Sequence, residues 1–163
     1  MKKPQVNYAF IDGNNLHLSV TNIGWKLDYR KFRQYLNDKY NIEKAYYFIG
    51  EVPGMEPLYS SLQRYGDSLI FKPPIKDKSG KYKANVDAEL VLQAMIDINK
   101  YDGAVIVTSD GDFSCLVKYL DSIGKLKRLL AASRGGCSKY LRIAAGSKVD
   151  YMDNLKIKLE YKK

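Results

Sequence analysis

Two cysteines, Cys115 and Cys137, and one histidine, His17, are all the thiol and imidazole groups in this 163-residue chain. The cysteines have neither C-x-x-C spacing nor a histidine cluster beside them, which argues against a disulfide framework or a structural zinc site and leaves both as small core residues. His17 has no second histidine and no serine or cysteine motif near it, so it is not read as a catalytic acid or base. No apolar run approaches the roughly 20 residues that cross a bilayer. The opening MKKPQVNYAFIDGNN turns polar at Asp12, too early for a signal-peptide core. A cytoplasmic location with no membrane partner is expected. Neither G-x-G-x-x-G nor a Walker lysine loop occurs, which removes the nucleotide-binding folds built on those loops.

Basic residues, by contrast, are in excess: 27 Lys+Arg against 18 Asp+Glu give a net charge of +9, which favours a polyanionic partner through phosphate neutralisation and counterion release. The 14 tyrosines serve first as amphipathic packing residues and second as stacking platforms for unpaired bases. The length suits one domain over residues 1–163, with a core of about 5–152 and a short basic C-terminal strand or tail.

Apolar runs and turn residues predict the elements. VNYAFI (6–11), closed by Asp12-Gly13, reads as a buried strand ending in a turn. From the N-cap candidate Asp28, DYRKFRQYLNDKY places Phe32, Tyr35 and Leu36 at helical spacing. IEKAYYFIG (42–50) is a strand, EPLYSSLQRYG (56–66) a helix stopped by Gly66, and SLIFK (68–72) a third strand. KPPIKDKSGKYK (72–83) has two prolines, a Ser-Gly pair and five lysines, and is expected to be an exposed loop. Helix 86–100 buries Val86, Leu90, Val91, Ala94, Met95 and Ile98 along one stripe, and the β-branched GAVIVTS (103–109) is the central strand. A helix with Phe113, Leu116, Val117 and Leu120 inward, closed by Gly124, leads to the strand LKRLLAA (126–132) and the short helix SKYLRIAAG (138–146). The terminal LKIKLEYKK alternates like an edge strand with one wet face, the edge along which a homodimer would pair. Strands separated by helices imply a parallel sheet covered on both faces, whose ligands bind beyond the carboxyl ends of the strands.

Two polar clusters fall at that end: Asp12-Gly13-Asn14-Asn15 after the first strand and Thr108-Ser109-Asp110-Gly111-Asp112 after the central one. Asp87, opening a helix, is the third candidate. Taken singly, Asp112 reads as a helix cap, Asp12 as a turn residue and Asp87 as a partner of the helix dipole. Together they read differently. Unpaired carboxylates brought close repel one another and raise their pKa values, and a divalent cation relieves the conflict. Oxygen ligands favour Mg2+ or Mn2+ over zinc. Asp97 lies about 15 Å along the helix from Asp87, and Glu89 points roughly 160° away around its axis, so both are expected to be surface charges.

FIDGNNL (10–16), KANVDAEL (83–90) and VTSDGDF (107–113), in that order on strand and helix ends, resemble the NYN domain, the LabA-like branch of the PIN-like nuclease superfamily. The likeness covers roughly residues 5–152. It implies a three-layer α/β/α PIN-like fold with a central, mostly parallel sheet, and a metal-dependent ribonuclease site. The family's first acid and its asparagine fall on Asp12 and Asn15, its lysine and mid-chain acid on Lys83 and Asp87, and its paired acids on Asp110 and Asp112. In the usual pattern a glycine follows the serine or threonine before the first paired acid. Here Thr108-Ser109 runs straight into Asp110-Gly111-Asp112, so either acid can be the direct ligand.

The resemblance implies endoribonuclease chemistry on Mg2+ or Mn2+ held by Asp12, Asp87, Asp110 and Asp112, with Asn15 and Ser109 orienting a water or a phosphate oxygen. Lys81, Lys83 and Arg134 would guide the RNA backbone and Tyr82 would stack on a base. The alternative is a non-catalytic or weakly catalytic RNA-binding regulatory module on the same fold. A phosphatase of the haloacid dehalogenase type is disfavoured, since its second Asp would stand where Asn14 does.

Overall fold

A computed structural model describes residues 3–163; Met1 and Lys2 of the expected 1–163 span lie outside the described residues. β1 (Asn7–Asp12) runs directly into α1 (Gly13–Asn22), followed by α2 (Tyr29–Tyr40), β2 (Ile42–Gly50), α3 (Glu56–Arg64) and β3 (Asp67–Lys72). A two-stranded hairpin, β4 (Ile75–Lys76) and β5 (Tyr82–Lys83), precedes α4 (Asp87–Ile96) and β6 (Gly103–Val107). One turn of 3-10 helix at Gly111–Phe113 opens α5 (Ser114–Ser122), and β7 (Leu126–Ala131), α6 (Lys139–Ala145), β8 (Val149–Tyr151) and α7 (Lys156–Leu159) follow.

Six strands form a single sheet in the order β3-β2-β1-β6-β7-β8, and every pairing in it is parallel. From β1 the chain steps outward to β2 and β3; from β6 it steps the other way to β7 and β8. Strand order therefore reverses between β1 and β6, the place where open α/β sheets leave a crevice beyond their carboxyl ends.

Alternation along the strands sends side chains to two cores. Ala9, Ile11, Tyr47 and Val105 pack beneath Leu16 and Val20 of α1, Phe32 and Leu36 of α2 and Leu62 of α3. Phe10, Phe48, Ile106 and Leu129 meet Leu90 and Ala94 of α4, Leu116, Val117 and Leu120 of α5 and Leu141 of α6. Each such fully buried side chain contributes about 1.5–3 kcal/mol, so the two cores hold the strand ends in fixed register. The result is the expected three-layer α/β/α arrangement.

Several expectations are corrected. The segment after Asp12 is not only a turn but the ten-residue helix α1, whose inward face consists of Gly13, Leu16 and Val20, too few apolar positions to announce a helix. The lysine-rich loop is exposed as expected, yet it contains the β4–β5 hairpin. Its tip is closed by Asp77, whose Oδ1 accepts from the amides of Ser79 (2.9 Å) and Lys81 (3.0 Å). The C-terminal segment is a short helix rather than an edge strand. Leu155 and Leu159, four apart, both turn into the core, and the tail is pinned by Tyr161 N–H to Lys26 O and Asp28 N–H to Leu159 O, each 2.8 Å. β8 occupies the sheet edge instead, so the tail does not supply the edge expected for a homodimer. Cys137 is buried but Cys115 is exposed. Asp97, expected at the surface, is only 1% exposed. Among the described residues no helix is long and apolar enough to cross a membrane.

Candidate metal centre

Asp12 ends β1, Asp110 follows β6, and Asp87 begins α4. The β1–β6 pairing, which runs to Ile11 opposite Val107, brings the first two side by side at the strand-order reversal. Asp87 arrives because α4 packs its Leu90 and Ala94 on the same sheet face that carries Phe10 and Ile106. One carboxylate oxygen from each residue lies within 4.8 Å of the others. Gly13 is what allows α1 to begin immediately after Asp12: a Cβ there would stand 2.3 Å from Tyr47 Cε1 and 2.7 Å from the Phe48 carbonyl. No other residue fits that approach to β2.

The cluster is electrostatically strained. Asp12 is only 4% exposed. Burial, reinforced by the charges of Asp87 and Asp110, pushes its carboxyl up to about 6, against the pull of a hydrogen bond from Thr108 and the nearby Asn15 amide. Asp87 is pushed up as well, by burial first and then by Asp110 and Asp112, with Lys72 a weaker opposing charge. Lys72 is itself engaged, 2.9 Å from Glu89 and donating to the Asn85 carbonyl at 2.6 Å.

Thr108 is the clamp of the site and was not singled out from the sequence. Its Oγ1 donates to Asp12 Oδ2 (3.1 Å) and accepts from the Asp110 amide (3.1 Å), so one hydroxyl fixes two of the three acids. The signal was available: a threonine closing a β-branched strand two residues before an acid is a turn-forming position. Asn85 plays a similar part for the third acid, its Oδ1 accepting from the Asp87 amide at 2.9 Å. Asn15 Oδ1 accepts from the Ser109 amide (2.9 Å) and from Ser19 Oγ (3.3 Å), tying the start of α1 to the loop after β6. Ser109 is buried, and its carbonyl accepts from the Ser138 amide at 3.1 Å.

The two paired acids separate in role. Asp110, not Asp112, caps the 3-10 turn, accepting from the Asp112 amide at 2.9 Å. Asp112 is exposed at the rim, close enough for its charge to act on Asp87, and stands outside the cluster of three. The basic candidates are all exposed. Lys81 and Lys83 lie on or beside β5, with Lys83 Nζ 3.8 Å from Asp77, and the Tyr82 ring carries Lys76 Nζ at 5.1 Å. Arg134, in the loop after β7, sets its guanidinium 5.8 Å from the Tyr151 ring centre while its amide donates to Asp153 (2.9 Å). None of the four touches the carboxylates. Asp102, Asp121 and Asp153 are engaged elsewhere, by the Val6 amide, Lys148 and the Arg134 amide.

An all-oxygen donor set suits a hard cation. Oxygens that share an octahedral ion of that size stand roughly 3–4 Å apart, so the cluster fits one after a small contraction.

Comparison with known proteins agrees with this architecture. The sequence matches the family described as NYN domain over residues 8–151. It is 27% identical over 162 residues to the Low amplitude and bright protein LabA of Synechococcus elongatus, covering 93% of this chain and 86% of that protein. The fold superposes with a TM-score of 0.77 on the crystal structure of a protein of unknown function from Vibrio parahaemolyticus, at 20% identity over 94% of this chain and 98% of the other.

Proposed function

The chain belongs to the NYN domain family, within the PIN-like nuclease superfamily, and we propose that it is an endoribonuclease that hydrolyses RNA phosphodiester bonds with a bound Mg2+ or Mn2+. The observation that carries the reading is the convergence of Asp12, Asp87 and Asp110 within 4.8 Å, where burial and mutual repulsion hold Asp12 well above the ordinary carboxylate range. Three acids this close repel one another, Lys72 opposes the charge on Asp87 only weakly, and a bound cation would relieve the conflict.

Asp12, Asp87 and Asp110 would hold the ion, with Asp112 at the rim joining directly or through water. When bound, the ion lowers the pKa of a water and stabilises charge on the scissile phosphate. The chain's own residues do the rest. Thr108 keeps Asp12 and Asp110 oriented, as outer partners of metal ligands do. Asn15, its Oδ1 engaged by Ser109, has its amide Nδ2 left to donate to a phosphate oxygen or a water. Ser109 contributes a hydroxyl beside it. Lys81, Lys83 and Arg134 attract the backbone, and Tyr82 offers a stacking face.

The test is Asp12→Asn against a panel of RNA and DNA substrates with and without Mn2+. Metal-dependent cleavage of RNA should fall by about a thousandfold or more while far-ultraviolet circular dichroism is unchanged. Undiminished cleavage in that variant removes the assignment. Mn2+ and RNA binding without turnover in the wild-type protein would instead favour the second reading, a non-catalytic RNA-binding module.

A further inference from the structure

A cleft of about 400 Å3, in the lower part of the range for small-molecule pockets, begins at Gly13, the residue after Asp12. Its walls are flat and apolar: Tyr29, Tyr59 and Tyr82 with Ile49, Met55 and Leu58. Asn14, His17 and Lys26 supply its polar groups, and no acidic side chain lines it. His17 Nδ1 lies 3.4 Å from the Tyr29 hydroxyl, so imidazole and phenol are held together at one edge. Tyr82 is 40% exposed, leaving an aromatic face free at the mouth.

The position is as informative as the lining. Asp12 pairs in register with Phe48, and the cleft begins at the next residues of β2, Ile49 and Gly50. Its lining thus includes Gly13, the residue after Asp12, and the residues of β2 just past the one paired with Asp12. Gly50 closes its floor against Ala84, where a Cβ on the glycine would sit 2.7 Å from the alanine Cβ, and Ala84 leads within three residues to Asp87. Lys76 of the β4–β5 hairpin sets its ammonium 5.1 Å from the Tyr82 ring centre. Aromatic walls, neutral and cationic polar edges, and a lining that includes the residue next to Asp12 together describe a slot for a heterocycle attached to an anionic backbone.

We propose that this cleft receives a single unpaired nucleobase of the RNA, stacked on Tyr82 and Tyr29 with its edge toward Asn14 and His17, while the adjoining phosphate lies at the carboxylates. The proposal rests on RNA being the polymer cut there, and it assigns the cleft as the place where an unpaired base is held. A base inside a duplex would first have to leave its stack.

Binding is measured by fluorescence anisotropy in EDTA, so that no cleavage occurs. The probes are a labelled ten-nucleotide single-stranded RNA, the same strand with one internal abasic position, and its duplex. The single strand should bind the wild-type protein about tenfold tighter than the duplex, and Tyr82→Ala should remove most of that margin, whereas Tyr82→Phe keeps it. The abasic position should weaken binding to the wild-type protein but not to Tyr82→Ala. Equal affinity of wild type and Tyr82→Ala for the single strand, or of wild type for strand and duplex, overturns the base site. The two readings fail separately. Tyr82-dependent binding without any metal-dependent cleavage leaves the base site standing and removes hydrolysis; cleavage with Tyr82-independent binding does the reverse.

Discussion

Helix α4 carries an aspartate at each end, and the two ends treat their charge in opposite ways. At its C-terminal end Asp97, almost wholly buried, is met by donors: the Tyr46 hydroxyl bonds to it and Lys100 Nζ lies 3.3 Å away. Burial alone would push that carboxyl up, but Tyr46, Gln93 and Lys100 together hold it below the usual range. At the N-terminal end Asp87 is met by acceptors, and it and Asp12 are pushed up. The same helix thus ends once in a carboxylate paired with a hydroxyl and an ammonium and once in a group of three like charges. Around Asp12 the donors are neutral, the Thr108 hydroxyl and the Asn15 amide, and they leave its carboxyl raised, as expected of a place that could hold an ion.

The widest test of this contrast exchanges the consequences of mutation. After the loss of cleavage expected for Asp12→Asn, the next largest effect is Asp97→Ala, which should destabilise the protein by about 2–3 kcal/mol by stranding the buried Tyr46 hydroxyl and removing the partner of the exposed Lys100. Mn2+ affinity, measured by calorimetry, should stay as in wild type. A variant that loses metal binding instead would mean that the two ends are not independent.

Metal itself supplies the next test. Asp12 holds its proton more tightly folded than unfolded, so folding takes up a proton between about pH 4 and 6 and stability falls as pH rises through that window. Asp67, which burial pushes up to about 7 despite Arg33, tilts stability the same way, so only the metal-dependent part isolates Asp12. At pH 7.5, Mn2+ at about a hundred times its Kd should add about 2.7 kcal/mol and raise Tm by roughly 5–10 °C. At pH 5, where Asp12 is mostly protonated, the rise should be less than half as large. Equal rises at both pH values would break the link between repulsion and binding.

Smaller effects sharpen the picture. Thr108→Val keeps the shape of the side chain but removes its bonds to Asp12 and the Asp110 amide, and should weaken Mn2+ binding by about 10–100-fold. Tyr46→Phe should cost about 1 kcal/mol in urea unfolding and leave Mn2+ affinity alone.

Much of this was legible in the residues. The strands of the sheet's centre announced themselves because GAVIV and NYAFI are buried on both faces, and acids placed directly after them had to meet if those strands were neighbours. Asp87 was legible from its place at a helix start. The misread pieces share one cause: tertiary partners outweighed local pattern. LKIKLEYKK satisfies strand alternation and helical spacing at once, and contact of Leu159 with the core decided between them. Asp97 looked exposed because helix geometry gave its distance from Asp87 but could not reveal Tyr46 arriving from β2. Thr108 was named only as part of its polar cluster, because its place before the acid marks a turn while its role in the site lies in two hydrogen bonds. The cleft could not be foreseen either, since its walls come from α1, α2, β2, α3 and β5.

The reversal of strand order between β1 and β6 also has a bearing on how the molecule comes into being. Chelation there needs residue 12, residue 87 and residue 110 at once, the last of them two-thirds of the way along the 163 positions. A fragment ending before the central strand has Asp12 and Asp87 but lacks the third acid, Asp110. Capture of a cation, as proposed, would therefore wait until the central strand had joined the first.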